Sequence, residues 1–159
     1  MTRTAAVLVV STRAAAEVYT DRTGPVIVGW LRERGFTTPD PVVVADADVA
    51  DALAWLLAQH PDVLLTTGGT GVSPDDRTPE ATVALLDAEL PGIVEEVRRR
   101  GAAVVPSAIL SRGVAGVAGR TFVMNLPGSS GGVRDGLGVL DGVLEHLLDQ
   151  LSGGGHVEA

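Results

Sequence analysis

Four stretches of the chain are apolar almost without interruption: Ala5 to Val10, Pro41 to Val44, Val63 to Leu65, and Thr121 to Leu126. Runs of this length bounded by Gly, Pro, Asp or Ser read as strands, and an unbroken apolar run suits a parallel strand covered on both faces. Between them, apolar residues recur at helical spacing. Ile27, Trp30 and Leu31 belong to a helix opened by Gly24-Pro25 and stopped near Gly35, with Trp30 in the core. Val49, Leu53, Leu56 and Leu57 mark a second helix, capped by Asp46 or Asp48 and ending at His60-Pro61. Thr78-Pro79-Glu80 is a helix start, with Thr78 as the cap, Pro79 in the first turn and an acid beside it; the helix continues through Leu86. Leu90-Pro91-Gly92 interrupts it, and Ile93 to Arg100 forms another. Val133, Leu137, Leu140, Leu144, Leu147 and Leu151 predict one last helix. Gly136, Gly138 and Gly142 within it cost about 1 kcal/mol each relative to Ala, which close packing against a neighbour offsets. Strands alternating with helices predict an α/β fold with a largely parallel sheet, a single domain over residues 1–151 and a frayed tail over 152–159.

Two connections depart from ordinary loop chemistry. After Val63-Leu64-Leu65 comes Thr66-Thr67-Gly68-Gly69-Thr70-Gly71, then Asp75, Asp76 and the helix start. Glycines there let the backbone take positive φ and bring N–H groups close to a ligand, and successive N–H groups form a concavity suited to phosphate. The adjacent carboxylates repel phosphate, a conflict that Mg²⁺ resolves, since it binds through one or two carboxylates plus substrate phosphate oxygens. A Gly-rich loop with solvated aspartates fits the same spacing. The strand ending at Leu126 leads into Pro127-Gly128-Ser129-Ser130-Gly131-Gly132, a second loop able to offer N–H and hydroxyl donors at a helix start. Ser11-Thr12-Arg13, at the end of the first strand, is a third candidate because ligands of such sheets bind beyond the carboxyl ends of the strands.

Charge and composition narrow the chemistry. The chain of 159 residues has no cysteine, so it has neither disulfides nor a thiolate metal site, and its 12 basic residues are all Arg. Without Lys there is no P-loop lysine and no Schiff base. A net charge of −8 argues against nucleic acid and against long-range attraction of an anionic substrate, so phosphate affinity must be local. His60, His146 and His156 have no zinc-ligand spacing and read as surface residues. Arg98-Arg99-Arg100 reads as a solvated helix end. Gly113, Gly116 and Gly119 recur every three residues, which is not the dinucleotide fingerprint. No apolar run reaches the ~18 residues of a membrane span, and Met1-Thr2-Arg3 leads directly into a strand-like run unlike a signal peptide. Cytoplasm is the expected location, with no membrane and no nucleic acid as partner.

The motifs together resemble one family. Thr67-Gly68-Gly69-Thr70-Gly71 followed by Pro74, Asp76, Thr78, Pro79, Glu80 and Ala81 is similar to the signature of the MoaB/Mog family of molybdopterin-binding proteins, which includes molybdopterin adenylyltransferase. Tyr19 with Asp21-Arg22-Thr23-Gly24-Pro25, Leu110-Ser111-Arg112 with Ala115-Gly116, and Asn125-Leu126-Pro127-Gly128-Ser129 match in family order over roughly residues 5 to 148. The chain departs from the family pattern at Thr12 (usually Asp), near Glu17 (Gly), at Asp75 (Arg) and at Ser130-Gly131 (Pro-Lys). Arg77 is a candidate substitute for the missing Arg.

The resemblance implies a three-layer α/β/α sandwich with a mostly parallel mixed sheet, assembled as a homotrimer or dimer of trimers. It implies transfer of AMP from ATP to molybdopterin with release of pyrophosphate, with Asp46 and Asp76 catalytic and holding Mg²⁺. Asp48 is the alternative to Asp46. Substrate contacts fall on Thr67, Gly68, Gly69, Thr70, Gly71, Thr78, Glu80, Ser111, Asn125, Pro127, Gly128, Ser129 and Ser130; for Ser111 and Arg112 a subunit contact stands beside a substrate contact. Two other readings are a carrier that binds molybdopterin without adenylylating it and, through related domains in the competence-damage family, an ADP-ribose-type pyrophosphatase.

Overall fold

The apolar run at the start becomes β1 (Ala5–Val10), the strand about which the others are arranged. The computed structural model describes residues 2–17 and 20–153, so Tyr19, His156 and most of the expected tail lie outside the described residues. A one-turn helix, α1 (Thr12–Ala15), follows β1, its Ser11 side chain accepting the Ala14 N–H at 3.2 Å. Next come α2 (Thr23–Glu33), β2 (Val42–Val44), α3 (Val49–Leu57), β3 (Val63–Thr67), α4 (Thr78–Val83), β4 (Ala88–Glu89), α5 (Pro91–Ala102), β5 (Ala115–Ala118), β6 (Thr121–Leu126), α6 (Ser130–Asp141) and α7 (Leu144–Leu151).

The six strands form one sheet in the order β2-β1-β3-β6-β5-β4. β2, β1, β3 and β6 are parallel, while β5 and β4 are antiparallel additions at one edge. Side chains alternate between two cores. Val7, Val63, Leu65, Phe122, Met124 and Leu126 pack against α2, α5, α6 and α7. Leu8, Val10, Leu64 and Val123 face α3, α4 and the turn after α4. Burial on both faces explains why the central strands read as continuous apolar runs. The architecture is the expected three-layer sandwich with a mixed, mostly parallel sheet.

Four local expectations need correction. The final helical pattern is two helices, because the chain turns at Gly142-Val143; the heptad-like leucine spacing continues across that break and concealed it. Within α6, Gly136 is required by close approach, since a methyl there would run into Leu126 Cδ2. The helix begun at Thr78 ends at Val83, short of the expected Leu86, and the short strand β4 follows at Ala88–Glu89 before the interruption at Leu90-Pro91-Gly92. β5, which falls in the stretch with glycine every three residues, was not anticipated either. Thr78 is itself the first residue of α4 and makes no cap; neither Asp46 nor Asp48 caps α3 through its side chain. The predicted stop at Gly35 holds, with φ of +88° just beyond α2.

Candidate functional site

All four parallel strands deliver their carboxyl ends to the same edge. The connection from β1 goes one way to β2, and the return to β3 passes to the other side of β1, so the connections diverge between β1 and β3. That divergence leaves a crevice, the usual ligand position in a doubly wound sheet. The turns that meet there are Ser11–Ala15, Asp46–Asp48, the loop from Gly68 to Arg77, and Pro127–Ser129. A cavity of about 680 Å³ opens beside them, walled by the two glycine loops on one side and by α5 and the turn after it on the other.

The first glycine loop is fixed by contacts that leave no room for side chains. Gly68 has φ of +92° and Gly69 of +68°; a methyl on Gly68 would strike the Val10 carbonyl oxygen, and one on Gly69 would strike Thr78 Oγ1. The Gly68 N–H donates to the Leu126 carbonyl at 3.2 Å, binding the loop to the end of β6. The second loop touches the first: a methyl on Gly128 would lie 3.4 Å from Gly68 Cα. Thr67, buried, joins them by donating its hydroxyl to the Pro127 carbonyl at 2.7 Å. Ser129 caps α6, its Oγ accepting the Gly132 N–H at 3.1 Å, and lines the cavity together with Gly128. Ser130 instead lines a neighbouring groove between α2 and α6.

Both predicted carboxylates lie against the first loop. Asp46 Oδ1 sits 3.3 Å from where a Gly69 methyl would be, and Asp76 Oδ2 sits 2.8 Å from the corresponding point on Gly71. Asp76 lines the cavity and Asp46 does not. Asp46 is bonded to Thr12, whose hydroxyl donates to Oδ2 at 2.7 Å and accepts the Asp46 N–H at 3.1 Å. Asp76 forms a reciprocal turn with Ser73: Oδ2 accepts the Ser73 N–H at 3.2 Å, and the Asp76 N–H donates to the Ser73 carbonyl at 3.0 Å. No group of three or more His, Cys, Asp or Glu able to hold a metal occurs among the described residues. Two carboxylates suit a cation that takes its other ligands from substrate phosphate and water, the usual habit of Mg²⁺.

The remaining predicted residues divide into those that face the cavity and those engaged within the protein. Thr70 lines it, with its Oγ1 accepting from Ser111 Oγ at 3.3 Å. Asn125 does both: it borders the cavity, yet it is buried and its side-chain polar atoms are engaged within the protein. Nδ2 donates to Thr66 Oγ1 and Thr82 Oγ1, both at 3.0 Å, while Oδ1 accepts the Val114 N–H at 3.1 Å. Thr78 Oγ1 is buried, has no hydrogen-bond partner among the described residues, and is pressed against Gly69. Glu80 is half-exposed and paired with Arg112, Nη1 to Oε1 at 2.6 Å. The hydrogen bond from Arg112 holds the Glu80 carboxyl below its ordinary value.

Arg99 and Arg100 both bind Glu96, pressing its carboxyl down to about 2, as a solvated helix end should. Arg98 does not belong with them. It turns inward, lines the cavity, and donates to the carbonyls of Ser111 and Gly113 at 3.1 and 3.2 Å. Arg134 is exposed, lines the same cavity, and makes no ion pair among the described residues. Neither cation was picked out from the sequence; for Arg134 the available signal was its position one turn into the helix that follows the second loop. Arg77 is exposed and is not part of the cavity wall. Trp30 is partly buried against the core, with the Arg34 guanidinium 4.0 Å from its ring centroid. His60 and His146 are exposed, as expected.

Paired glycine loops at the strand ends, with acids beside one of them, define a doubly wound α/β domain whose loop geometry suits a phosphate-bearing ligand. The chain matches the probable molybdopterin binding domain over residues 6–146 and belongs to that family. A molybdenum cofactor biosynthesis bifunctional protein of Synechococcus elongatus is 40% identical over 154 residues, covering 96% of this chain and 48% of that protein. The molybdopterin adenylyltransferase of Escherichia coli is 37% identical over 139 residues, covering 83% of this chain and 71% of that one. A solved MogA chain is 57% identical and superposes with a TM-score of 0.91, covering 94% of this chain and 99% of that one. The chain thus spans about half the length of the bifunctional relatives it matches. It is a MogA/MoaB-like protein of molybdenum cofactor biosynthesis. No helix among the described residues is long and apolar enough to cross a membrane.

Proposed function

We propose that this chain is a cytoplasmic molybdopterin adenylyltransferase, transferring AMP from ATP to the phosphate of molybdopterin and releasing pyrophosphate. The observation that carries the reading is the pair of touching glycine loops with Asp46 against Gly69 and Asp76 against Gly71 of the first. The similarity to the Escherichia coli adenylyltransferase supports it. An oxygen of the molybdopterin phosphate attacks the α-phosphorus of ATP. The new P–O–P bond forms as the bond to the β-phosphate bridging oxygen breaks, and pyrophosphate leaves. The nucleophile belongs to the substrate, so the protein's task is alignment and charge neutralisation.

In this scheme Gly69 to Gly71, Gly128 and Ser129 supply N–H and hydroxyl donors, with Ser111 beside them, to hold the phosphate-bearing groups in line, while the Gly68 N–H is taken by the Leu126 carbonyl and Ser130 faces the neighbouring groove. Thr67 and Pro127 keep the two loops together, Thr78 and Asn125 support them from beneath, and Glu80 acts through Arg112. Arg98 and Arg134 add positive charge to the cavity wall that the chain's net charge of −8 does not provide. Asp46 and Asp76 would hold Mg²⁺, which when bound neutralises phosphate charge.

The protein would act as a homotrimer or dimer of trimers. Val104, Val105, Ile109 and Leu110 form an exposed apolar stretch beside the cavity, the kind of surface a subunit contact covers. Sedimentation at micromolar concentration tests the assembly, and a monomer would overturn it.

A second reading, a molybdopterin carrier without transferase activity, draws on the position of Asp46 outside the main cavity, bonded to Thr12. Incubation with Mg-ATP and molybdopterin, following adenylylated pterin and pyrophosphate, separates the two. Product supports the transferase, and tight pterin binding without product supports the carrier.

A further inference from the structure

The segment from Gly71 to Arg77 carries Asp76, yet it is poorly held by its own contacts. Val72, Ser73, Pro74 and Asp75 are exposed, and the Ser73–Asp76 turn is local. What ties both ends of the segment to the domain is one side chain from the stretch that leads into β5. Arg112 donates through Nε to the Gly71 carbonyl at 2.8 Å and through Nη2 to the Asp76 carbonyl at 2.9 Å. Its Nη1 binds Glu80 Oε1 at 2.6 Å and Oε2 at 3.2 Å. The Arg112 main-chain N–H adds a bond to the Thr70 carbonyl at 2.8 Å. The acceptors are spread around the edge of the guanidinium, a pattern that its planar fork of donors meets and a lysine ammonium, a single point charge, does not. Arg112 is also absent from the cavity wall, although its neighbours Ser111 and Gly113 belong to it. A guanidinium engaged in this way is a fastening for the loop and not a ligand for substrate phosphate.

We propose that Arg112 is a positioning residue that fixes Asp76 by lashing both ends of the Gly71–Asp76 segment to the stretch that leads into β5, with Glu80 as its anchor on α4. The proposal rests on the adenylyltransferase reading for its kinetic consequence and on the loop geometry alone for its structural one. The two can therefore fail separately.

The test uses the full chain with Arg112→Lys and Glu80→Gln, combining steady-state kinetics with amide hydrogen exchange. Arg112→Lys is expected to lower kcat about 10- to 100-fold while KM for molybdopterin changes less than about threefold, as for an interaction that aligns the reacting groups without binding the ground state. The Mg²⁺ concentration for half-maximal rate rises. Amides in residues 72–77 exchange at least about tenfold faster, while those of β3 and β6 keep their protection. Glu80→Gln, which leaves the bonds to Gly71 and Asp76, moves the same readouts in the same direction by a smaller factor, and stands as the deciding variant if Arg112→Lys does not fold. Unchanged exchange in residues 72–77 overturns the proposal, whether or not the wild-type chain adenylylates. So does a rise in KM with kcat intact, which would make Arg112 a substrate contact.

Discussion

Thr12 and Asp46 are joined by a reciprocal pair of hydrogen bonds, Thr12 Oγ1 to Asp46 Oδ2 at 2.7 Å and Asp46 N–H to Thr12 Oγ1 at 3.1 Å. The pair links the turns after β1 and β2 and leaves Asp46 Oδ1 facing Gly69. Thr12→Val keeps the shape and removes both bonds. A hydrogen bond to a charged group is worth about 1.5 kcal/mol when buried and less at an exposed site, so kcat should fall about three- to tenfold. Molybdopterin affinity should not change, and Thr12→Ser should retain the wild-type rate. Steady-state rates with ATP varied decide it; wild-type turnover by Thr12→Val would detach Thr12 from the site.

The glycine loop should tolerate nothing at its tightest position. Gly68→Ala combines φ of +92° with a methyl driven into the Val10 carbonyl, which should cost about 2–4 kcal/mol. For a domain of this size that lowers Tm by roughly 5–15 °C. Gly131, in the second loop's helix, has nothing within 4 Å of its methyl position. Gly131→Ala should be neutral or stabilising by up to about 1 kcal/mol. Calorimetry of the two variants side by side checks the contrast.

Asn125 is expected to matter for stability more than for binding. Removing its side chain strips the Thr66 hydroxyl and the Val114 N–H of their partner and takes one bond from the Thr82 hydroxyl, which still donates to the Thr78 carbonyl at 2.8 Å. Asn125→Ala should cost about 2–4 kcal/mol in urea unfolding. The folded variant should still bind molybdopterin within a few-fold of wild type; a large loss of affinity at full occupancy of the folded state would place Asn125 in direct contact with ligand.

The Arg112–Glu80 pair gives a pH dependence of defined sign. Hydrogen bonding to Arg112 holds the folded carboxyl below the 4.5 of an unfolded glutamate. Its contribution is therefore complete above that value and is lost as pH falls through the lower folded one. The pair is half-exposed, so screening limits the effect to a few tenths of a kcal/mol. Urea midpoints measured between about pH 3 and 7 should decline on the acid side less steeply for Glu80→Gln than for wild type.

Much of this was legible from residue order alone. The central strands announced themselves because both faces are buried, and the two loops because glycine, serine and acid cluster only where a backbone must approach something closely. What escaped notice depends on contacts distant in sequence. Arg98 looks like Arg99 and Arg100 in a run of three, and only packing of α5 against the segment through Ser111 and Gly113 turns it inward. Thr78 and Asp46 carry the local signature of helix caps, but Gly69 presses on the first and Thr12 binds the second. β4 has two residues and β5 four, too short for periodicity to register, and both exist through pairing at the sheet edge. The turn at Gly142 is masked by leucines that keep their spacing through it.

The most direct measurement is a single-turnover assay of the wild-type chain, Asp46→Asn and Asp76→Asn with Mg-ATP and molybdopterin, reading adenylylated pterin and pyrophosphate together with pterin affinity. Adenylylated product from wild type, a fall of about 100-fold or more in each variant and pterin affinity within a few-fold of wild type are the predicted result. Wild-type turnover by Asp76→Asn, or no product from wild type under saturating pterin, would contradict it.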